Sequence, residues 1–177
     1  MKTTNLIAAA SLLALSGGAA LAEGTHGHGG GDDIGKPGSR AKATRTVEIT
    51  MRDNFYEPES ITVKEGETVR FVVRNAGELV HEFAIGTAAS HAEHAPMMQM
   101  MVDHGVLEPD RINLDVAKSM QETMGHGMHD EPNSVLLEPG KSGELVWTFP
   151  QHAKLEFACT VPGHYDGGMV GEIELSH

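Results

Sequence analysis

Cys159, His164 and Met169 follow one another at intervals of five in Cys159-Thr160-Val161-Pro162-Gly163-His164-Tyr165-Asp166-Gly167-Gly168-Met169. Cys159 is the single cysteine of the chain. A thiolate, an imidazole and a thioether on one short loop make a soft, mixed-donor set. A cysteine and two histidines in a plane, with a weak axial methionine, are the donors that hold electron-transferring copper. The second histidine must come from elsewhere. The best candidate is His81 in Glu78-Leu79-Val80-His81-Glu82-Phe83, because it falls in an alternating, strand-like run.

Each residue also has an ordinary reading. A lone cysteine is often a small buried hydrophobe, and a methionine is often core filler. A single strand histidine is often a satisfied core side chain. Taken together, at these spacings, the four residues point to a metal.

The elements that must position them read as short strands. Thr46-Val47-Glu48-Ile49-Thr50-Met51 alternates, as does Ser60-Ile61-Thr62-Val63-Lys64. Thr68 to Asn75 sets Val69, Phe71 and Val73 on one face, since strand side chains alternate. Leu79 to Ile85 carries His81. Ser134–Leu137, Gly143–Phe149, Lys154–Ala158 and Val170–Leu175 complete the set, with Trp147 and Phe149 on one face. Turn residues separate the runs: Asn54 to Pro58, Glu65-Gly66-Glu67, Glu138-Pro139-Gly140 and Phe149-Pro150. Short strands between turns suggest an all-β sandwich.

The Cys-x4-His-x4-Met loop, the upstream strand histidine and the Gly-rich return into Met169-Val170-Gly171-Glu172-Ile173 resemble the cupredoxins, the type 1 (blue) copper proteins. The resemblance runs from about residue 46 to residue 177, apart from one long insertion. Within the family the chain looks most like the periplasmic cupredoxins of Gram-negative bacteria linked to copper tolerance. The resemblance implies a Greek-key β-sandwich and one type 1 copper held by His81, Cys159, His164 and Met169. It also implies that the edge of His164 reaches the surface as an electron port. Many cupredoxins carry Asn or Ser after the first histidine, which ties the two ligand loops together; this chain has Glu82 there.

Between residues 86 and 133 the β pattern stops. This insertion holds seven of the ten methionines (Met97, Met98, Met100, Met101, Met120, Met124, Met128) and five of the eleven histidines (His91, His94, His104, His126, His129). Ser90 with Glu93 matches a capping box, and Pro96 argues for a later start or a kink. Residues 97 and 101, or 94 and 98, share a helix face. Two readings stand side by side: a methionine stripe packed on the sandwich, or thioethers and imidazoles that take additional copper.

The chain opens Met1-Lys2, runs apolar from Leu6 to Leu15 and reaches Ala20-Leu21-Ala22. That is the pattern of a secretory signal peptide cleaved after Ala22, and the apolar run is too short for a membrane anchor. Export to the periplasm follows as the expected location. Residues 23–45, rich in Gly and polar side chains, read as a flexible arm. Its His26 and His28 are either linker residues or a trap for a divalent metal. The formal net charge of −12 argues against nucleic acid or an anionic membrane as partner. It suits cations, a basic redox partner or a copper-transfer partner, and equally plain solubility.

An enzyme is the reading the residues disfavour. Multicopper oxidases need histidines flanking the cysteine, where this chain has Ala158 and Thr160. A dinuclear copper centre needs two cysteines. Two-domain copper nitrite reductases need about twice the length. The sequence therefore points to a one-electron carrier connected with copper handling, or to a copper-sequestering or copper-delivery tolerance protein that uses the insertion as well.

Overall fold

The computed structural model describes residues 33–177 apart from 126 and 128. The expected signal peptide, residues 1–22, and His26, His28, His126 and Met128 lie outside the described residues. Ten strands form in chain order: β1 (Lys36–Pro37), β2 (Arg45–Arg52), β3 (Phe55–Glu57), β4 (Ser60–Lys64), β5 (Thr68–Asn75), β6 (His81–Gly86), β7 (Ser134–Leu137), β8 (Ser142–Thr148), β9 (Leu155–Ala158) and β10 (Val170–Ser176). Two helices, α1 (Ala88–Asp103) and α2 (Leu114–Met124), fall between β6 and β7. Among the described residues no helix is long and apolar enough to cross a membrane.

The strands make two five-stranded sheets, ordered β1-β8-β5-β2-β3 and β4-β10-β9-β6-β7. β2 pairs with β5, and β4 with β10, in parallel; the other ladders are antiparallel. Parallel neighbours cannot be joined by a tight hairpin, so the chain crosses between sheets, as the expected sandwich requires.

Alternation decides which side chains fill the space between the sheets. β4 buries Ile61 and Val63 and exposes its other positions. β5 buries Val69, Phe71 and Val73 on one face. Across from them, Phe83, Ile85, Leu155 and Phe157 close the core. The Phe157 ring stands edge-on to Tyr56 at 5.0 Å and lies 5.3 Å from Phe83. Full burial of one such ring contributes about 1.5–3 kcal/mol. Phe157 faces Gly171 across the β9–β10 ladder. A β-carbon at Gly171 would lie 2.1 Å from Phe157 Cζ and 2.6 Å from the Glu59 carbonyl oxygen. The ring therefore uses the room that glycine leaves.

Three expectations need correction. The residues read as a flexible arm are docked from residue 33 onward. Lys36 and Pro37 pair with Thr148 and Trp147, and the Trp147 indole N–H donates to the Ile34 carbonyl oxygen at 2.8 Å. A buried indole needs an acceptor, and the edge of β8 offers unpaired backbone groups, so this short segment satisfies both. The turn read at Asn54 to Pro58 contains β3, paired with β2. The N-cap of α1 is Thr87 rather than Ser90. Ser90 N donates to Thr87 Oγ1 at 3.1 Å, and Thr87 N donates to Ser90 Oγ at 2.9 Å.

α1 runs through Pro96 to Asp103 without ending. Pro96 removes one helical hydrogen bond at a cost of about 3 kcal/mol, and the burial of Met98 and Met101 beyond it offsets that. These two join Val80, Val106, Leu107, Ala117 and Met120 in a second apolar cluster, with Met97, Met100 and Leu136 packed against it. Met98, Met101 and Met120 thus pack on the sandwich as a methionine stripe would. Asn113 caps α2 by accepting from Val116 N, and Gly125, at φ 77°, ends it in the left-handed conformation.

The insertion covers the outer face of the second sheet. β6 is consequently buried at every position. Phe83 and Ile85 face the main core, while Val80 belongs to the second cluster. Glu82 has the parity of Val80. A charged residue thus sits where water has been excluded.

Gly171→Ala is expected to destabilise the chain by about 1–3 kcal/mol, because Phe157 must leave its place between Tyr56 and Phe83. Urea denaturation measures this; an unchanged midpoint would show that the ring position is not constrained by the glycine.

Candidate metal centre

His81 opens β6 and is fully buried. Its approach is fixed by Asn75 at the end of β5. Asn75 Nδ2 donates to the Leu79 and Leu137 carbonyl oxygens at 2.7 and 2.9 Å, and Asn75 Oδ1 accepts from Gly77 N at 2.9 Å. The loop between β5 and β6 is held from inside by one buried amide. Asp53, in the turn after β2, reaches the same place. Asp53 Oδ1 lies 2.8 Å from His81 Nε2 and also accepts from Glu78 N and Leu79 N. A β-carbon at Gly77 would come within 2.3 Å of Asp53 Oδ1 and 2.9 Å of His81 Nε2, so glycine is needed for the pair to form. Partial burial works against the Asp53 charge, but the hydrogen bonds from His81, Glu78 and Leu79 outweigh it and hold its carboxyl below the usual range.

With Nε2 engaged by Asp53, Nδ1 of His81 is the nitrogen left to point inward. It lies 3.2 Å from His164 Nδ1, which lies 3.3 Å from Cys159 Sγ. The two imidazole nitrogens and the sulfur all lie within 4.8 Å of one another. Donors bound to one ion at about 2.0–2.3 Å stand about 3–4 Å apart, the spacing of the His81–His164 and His164–Cys159 pairs. The three donors fit a single metal ion.

Cys159 follows β9 and is buried. Its Sγ accepts from Glu82 N at 3.3 Å. Burial, and then the negative charge of Glu82, push the thiol up to about 12. Without a metal the thiol is therefore protonated at neutral pH, and a bound cation must displace that proton. Burial and the neighbouring His81 ring hold His164 below the ordinary imidazole value. Its lone pair is free at neutral pH.

The loop from residue 159 to 169 is wound by its own backbone. His164 N donates to Val161 O, Gly167 N to Gly163 O, and Gly168 N to Tyr165 O, at 2.9–3.0 Å. Met169 N then donates to His164 O at 3.0 Å, and Cys159 N to Met169 O at 3.1 Å. Met169 is fully buried and packs in the main core with Cys159. His81, Cys159 and His164 thus converge, and Met169 is joined to Cys159 and His164 through its backbone. His164 alone of the four is half-buried rather than buried.

Sequence reasoning missed the supports. Glu82 performs the tie between ligand loops that the family assigns to Asn or Ser. Its Oε2 accepts from Thr160 N at 3.1 Å and from Thr160 Oγ1 at 2.6 Å. Its Oε1 lies 2.8 Å from His129 Nε2. Burial alone would raise the Glu82 carboxyl. The hydrogen bond of His129, the nearby His94 ring, the charge on His129 and the Thr160 hydroxyl outweigh burial and drive it far below the usual range. His129 moves the other way: desolvation opposes its charge, but Glu82 raises it above the usual imidazole value. The signal for this tie was the position of Glu82 beside His81. Asp53 and Asn75 carried no signal, because their partners lie across turns.

Comparison with known proteins follows the geometry. A family model described as a cupredoxin-like domain matches residues 6–89. The chain is 46% identical, over 94% of its length and 94% of the relative, to the copper-resistant cuproprotein CopI of Pseudomonas aeruginosa. It is 41% identical to the copper-resistant cuproprotein CopI of Rubrivivax gelatinosus, over 85% of the chain and 78% of the relative. The solved structure of reduced auracyanin from Roseiflexus castenholzii superposes with a TM-score of 0.54 at 24% identity, over 76% of the chain and 99% of its own. Auracyanin B gives 0.56 at 20% identity, over 84% and 97%. At those identities the structural likeness speaks for the fold.

Glu82→Gln keeps the shape and removes the charge. It is expected to cost the metal-free chain about 1.5–3 kcal/mol, the range for hydrogen bonds to a charged group. The Glu82 contribution is present above its unfolded value of 4.5 and is lost as pH falls through its lower folded value. The His129 contribution is complete below 6.5 and is lost as pH rises through its higher folded value. Denaturation of both proteins across pH should therefore show the widest gap between about pH 5 and 6; a gap independent of pH would show that charge is not the cause.

Proposed function

The chain belongs to the cupredoxin family, among the copper-resistance cuproproteins, and from that premise we propose that it is an exported type 1 copper protein acting in one-electron transfer and copper handling. His81, Cys159 and His164 would hold the copper, with the Met169 thioether as a further donor. The observation that carries this reading is the convergence of two imidazole nitrogens and one thiol sulfur in a site closed by the core. Bound copper supplies exchange of a single electron between its Cu(I) and Cu(II) states.

The protein's own part is to keep the donors still. Asp53 fixes the His81 ring and its tautomer from behind, the arrangement that orients a metal-bound histidine and raises its basicity. The Glu82 N–H fixes the Cys159 sulfur, and the Glu82 carboxylate clamps Thr160 on the same loop. The Cys159–Met169 and His164–Met169 backbone bonds close the loop on itself. Donors held this way move little when charge changes, which suits fast electron exchange. His164, half-buried beside Val161, Pro162 and Gly163, gives the route out. A redox partner would meet this edge. The domain plan that accompanies this reading is a cleaved leader over residues 1–22, an arm whose second part docks on β8, and a cupredoxin domain with its insertion at about 86–133.

Sequestration or delivery of copper is the second reading. The observation favouring it is a further cluster in which His94 and His129 of the insertion meet the Glu82 carboxylate of β6. A pure carrier binds one copper per chain, and a buffer binds more.

Copper titration followed by visible spectroscopy and metal analysis tests the site. One intense thiolate-to-copper band per chain is expected, and Cys159→Ala should abolish it; a band that survives in the variant would refute the ligand set. Asp53→Asn should lower Cu(II) affinity about 10–100-fold and raise the reduction potential, because the imidazole loses a negative partner that favours Cu(II). Voltammetry and competition with a chelator measure both, and unchanged values would leave Asp53 no tuning role.

A further inference from the structure

Beside the first centre lies a second set of donors that contains no sulfur. Glu82 Oε1 is 2.8 Å from His129 Nε2 and 3.5 Å from His94 Nε2. The three ligand atoms lie within 4.8 Å of one another. The side chains are 0% exposed for Glu82, 7% for His129 and 18% for His94, so the cluster is largely shut off from water. We propose that Glu82, His94 and His129 form a second metal site, for a divalent cation of the Zn(II) or Cu(II) class.

Three observations carry the assignment. First, both rings turn Nε2 toward the same carboxylate oxygen. Second, both turn Nδ1 toward one other carboxylate: Glu131 lies 3.8 Å from His94 Nδ1 and 3.4 Å from His129 Nδ1. Glu131 Oε2 is itself buried without a hydrogen-bond partner, so this carboxylate faces the rings as a nearby negative charge and stands where the outer support of a metal-bound imidazole is usually found. Third, His94 Nε2 is buried with no aligned hydrogen-bond partner. A buried polar atom without a partner is costly and calls for an explanation. An imidazolium on His129 paired with Glu82 explains His129 but leaves His94 unexplained. A cation between the three satisfies both rings.

The donor set also selects the ion. Two imidazoles and a carboxylate suit borderline dications, whereas thioethers select Cu(I). Met98 and Met101, the nearest in sequence to His94 among the buried methionines, belong to the apolar cluster. Glu82 Oε2 is already taken by Thr160, so Glu82 offers one oxygen. Three protein ligands leave a position for water, as in open zinc sites.

The test uses the full chain with Cys159→Ala, which disables the first centre, so its result does not depend on copper binding there. Zn(II) bound at equilibrium is counted by dialysis and metal analysis, and thermal unfolding is followed with and without Zn(II). Adding His94→Gln is expected to remove one equivalent of Zn(II) per chain and the matching rise in unfolding temperature. His129→Gln should do the same, and His94→Gln carries the test alone if that variant fails to fold. Equal Zn(II) counts and equal thermal responses with and without His94→Gln would overturn the site and leave a metal-free ion pair between His129 and Glu82.

Discussion

A carboxylate with no exposure to water holds this end of the molecule together. Glu82 accepts two hydrogen bonds from Thr160, faces His129, and gives its own backbone N–H to the sulfur of Cys159. Its carbonyl oxygen accepts from the Tyr56 hydroxyl at 2.6 Å. One residue therefore connects β6, the cysteine loop, the insertion and the aromatic core. Stripping water from an ionised carboxylate costs several kcal/mol unless hydrogen bonds and an opposite charge replace it. Here the replacement comes from the loop and from the insertion at once. Neither can move away without leaving the charge uncompensated.

That requirement explains the insertion. A cupredoxin sheet whose outer face met solvent would hydrate position 82. α1 and α2 prevent this by laying Met98, Met101 and Met120 over Val80 and Leu136. Methionine suits the task because its flexible thioether fills an irregular surface without demanding one shape. The same packing sets the histidines of the insertion, His94 and His129, against the carboxylate. Packing and polar chemistry divide the insertion between them.

Much of the fold was legible, because strand alternation is a local property. The buried positions of β4 and β5, and the pair Trp147 and Phe149, follow from parity alone. The residues proposed as donors could be singled out from the sequence too, since three lie on one loop and the fourth begins a strand. What the sequence hid was contact between distant turns. Asp53 meets His81 across 28 positions, and Thr160 meets Glu82 across 78. Nothing in local spacing distinguishes such a pair from two solvated side chains. The docked segment at Lys36 and Pro37 was hidden for a related reason. Its order comes from what it joins, an indole N–H and a sheet edge, rather than from its own composition.

The charges around the first centre follow one rule. Metal-free, its thiol is protonated and its His164 neutral, so the cavity itself holds little charge. When a dication enters and the thiol proton leaves, the gain is one positive charge in a space closed to water. Asp53 stands behind one imidazole ligand, and Glu82 stands behind the sulfur. Two negative charges thus flank the site without entering it: Asp53 within hydrogen-bond reach of His81, and the Glu82 carboxylate on Thr160, the residue next to Cys159. On the proposed copper reading, they would favour the more highly charged ion, while the apolar core that takes in Met169 would favour the less charged one. The balance between the two oxidation states would then be set by side chains that need not touch the metal.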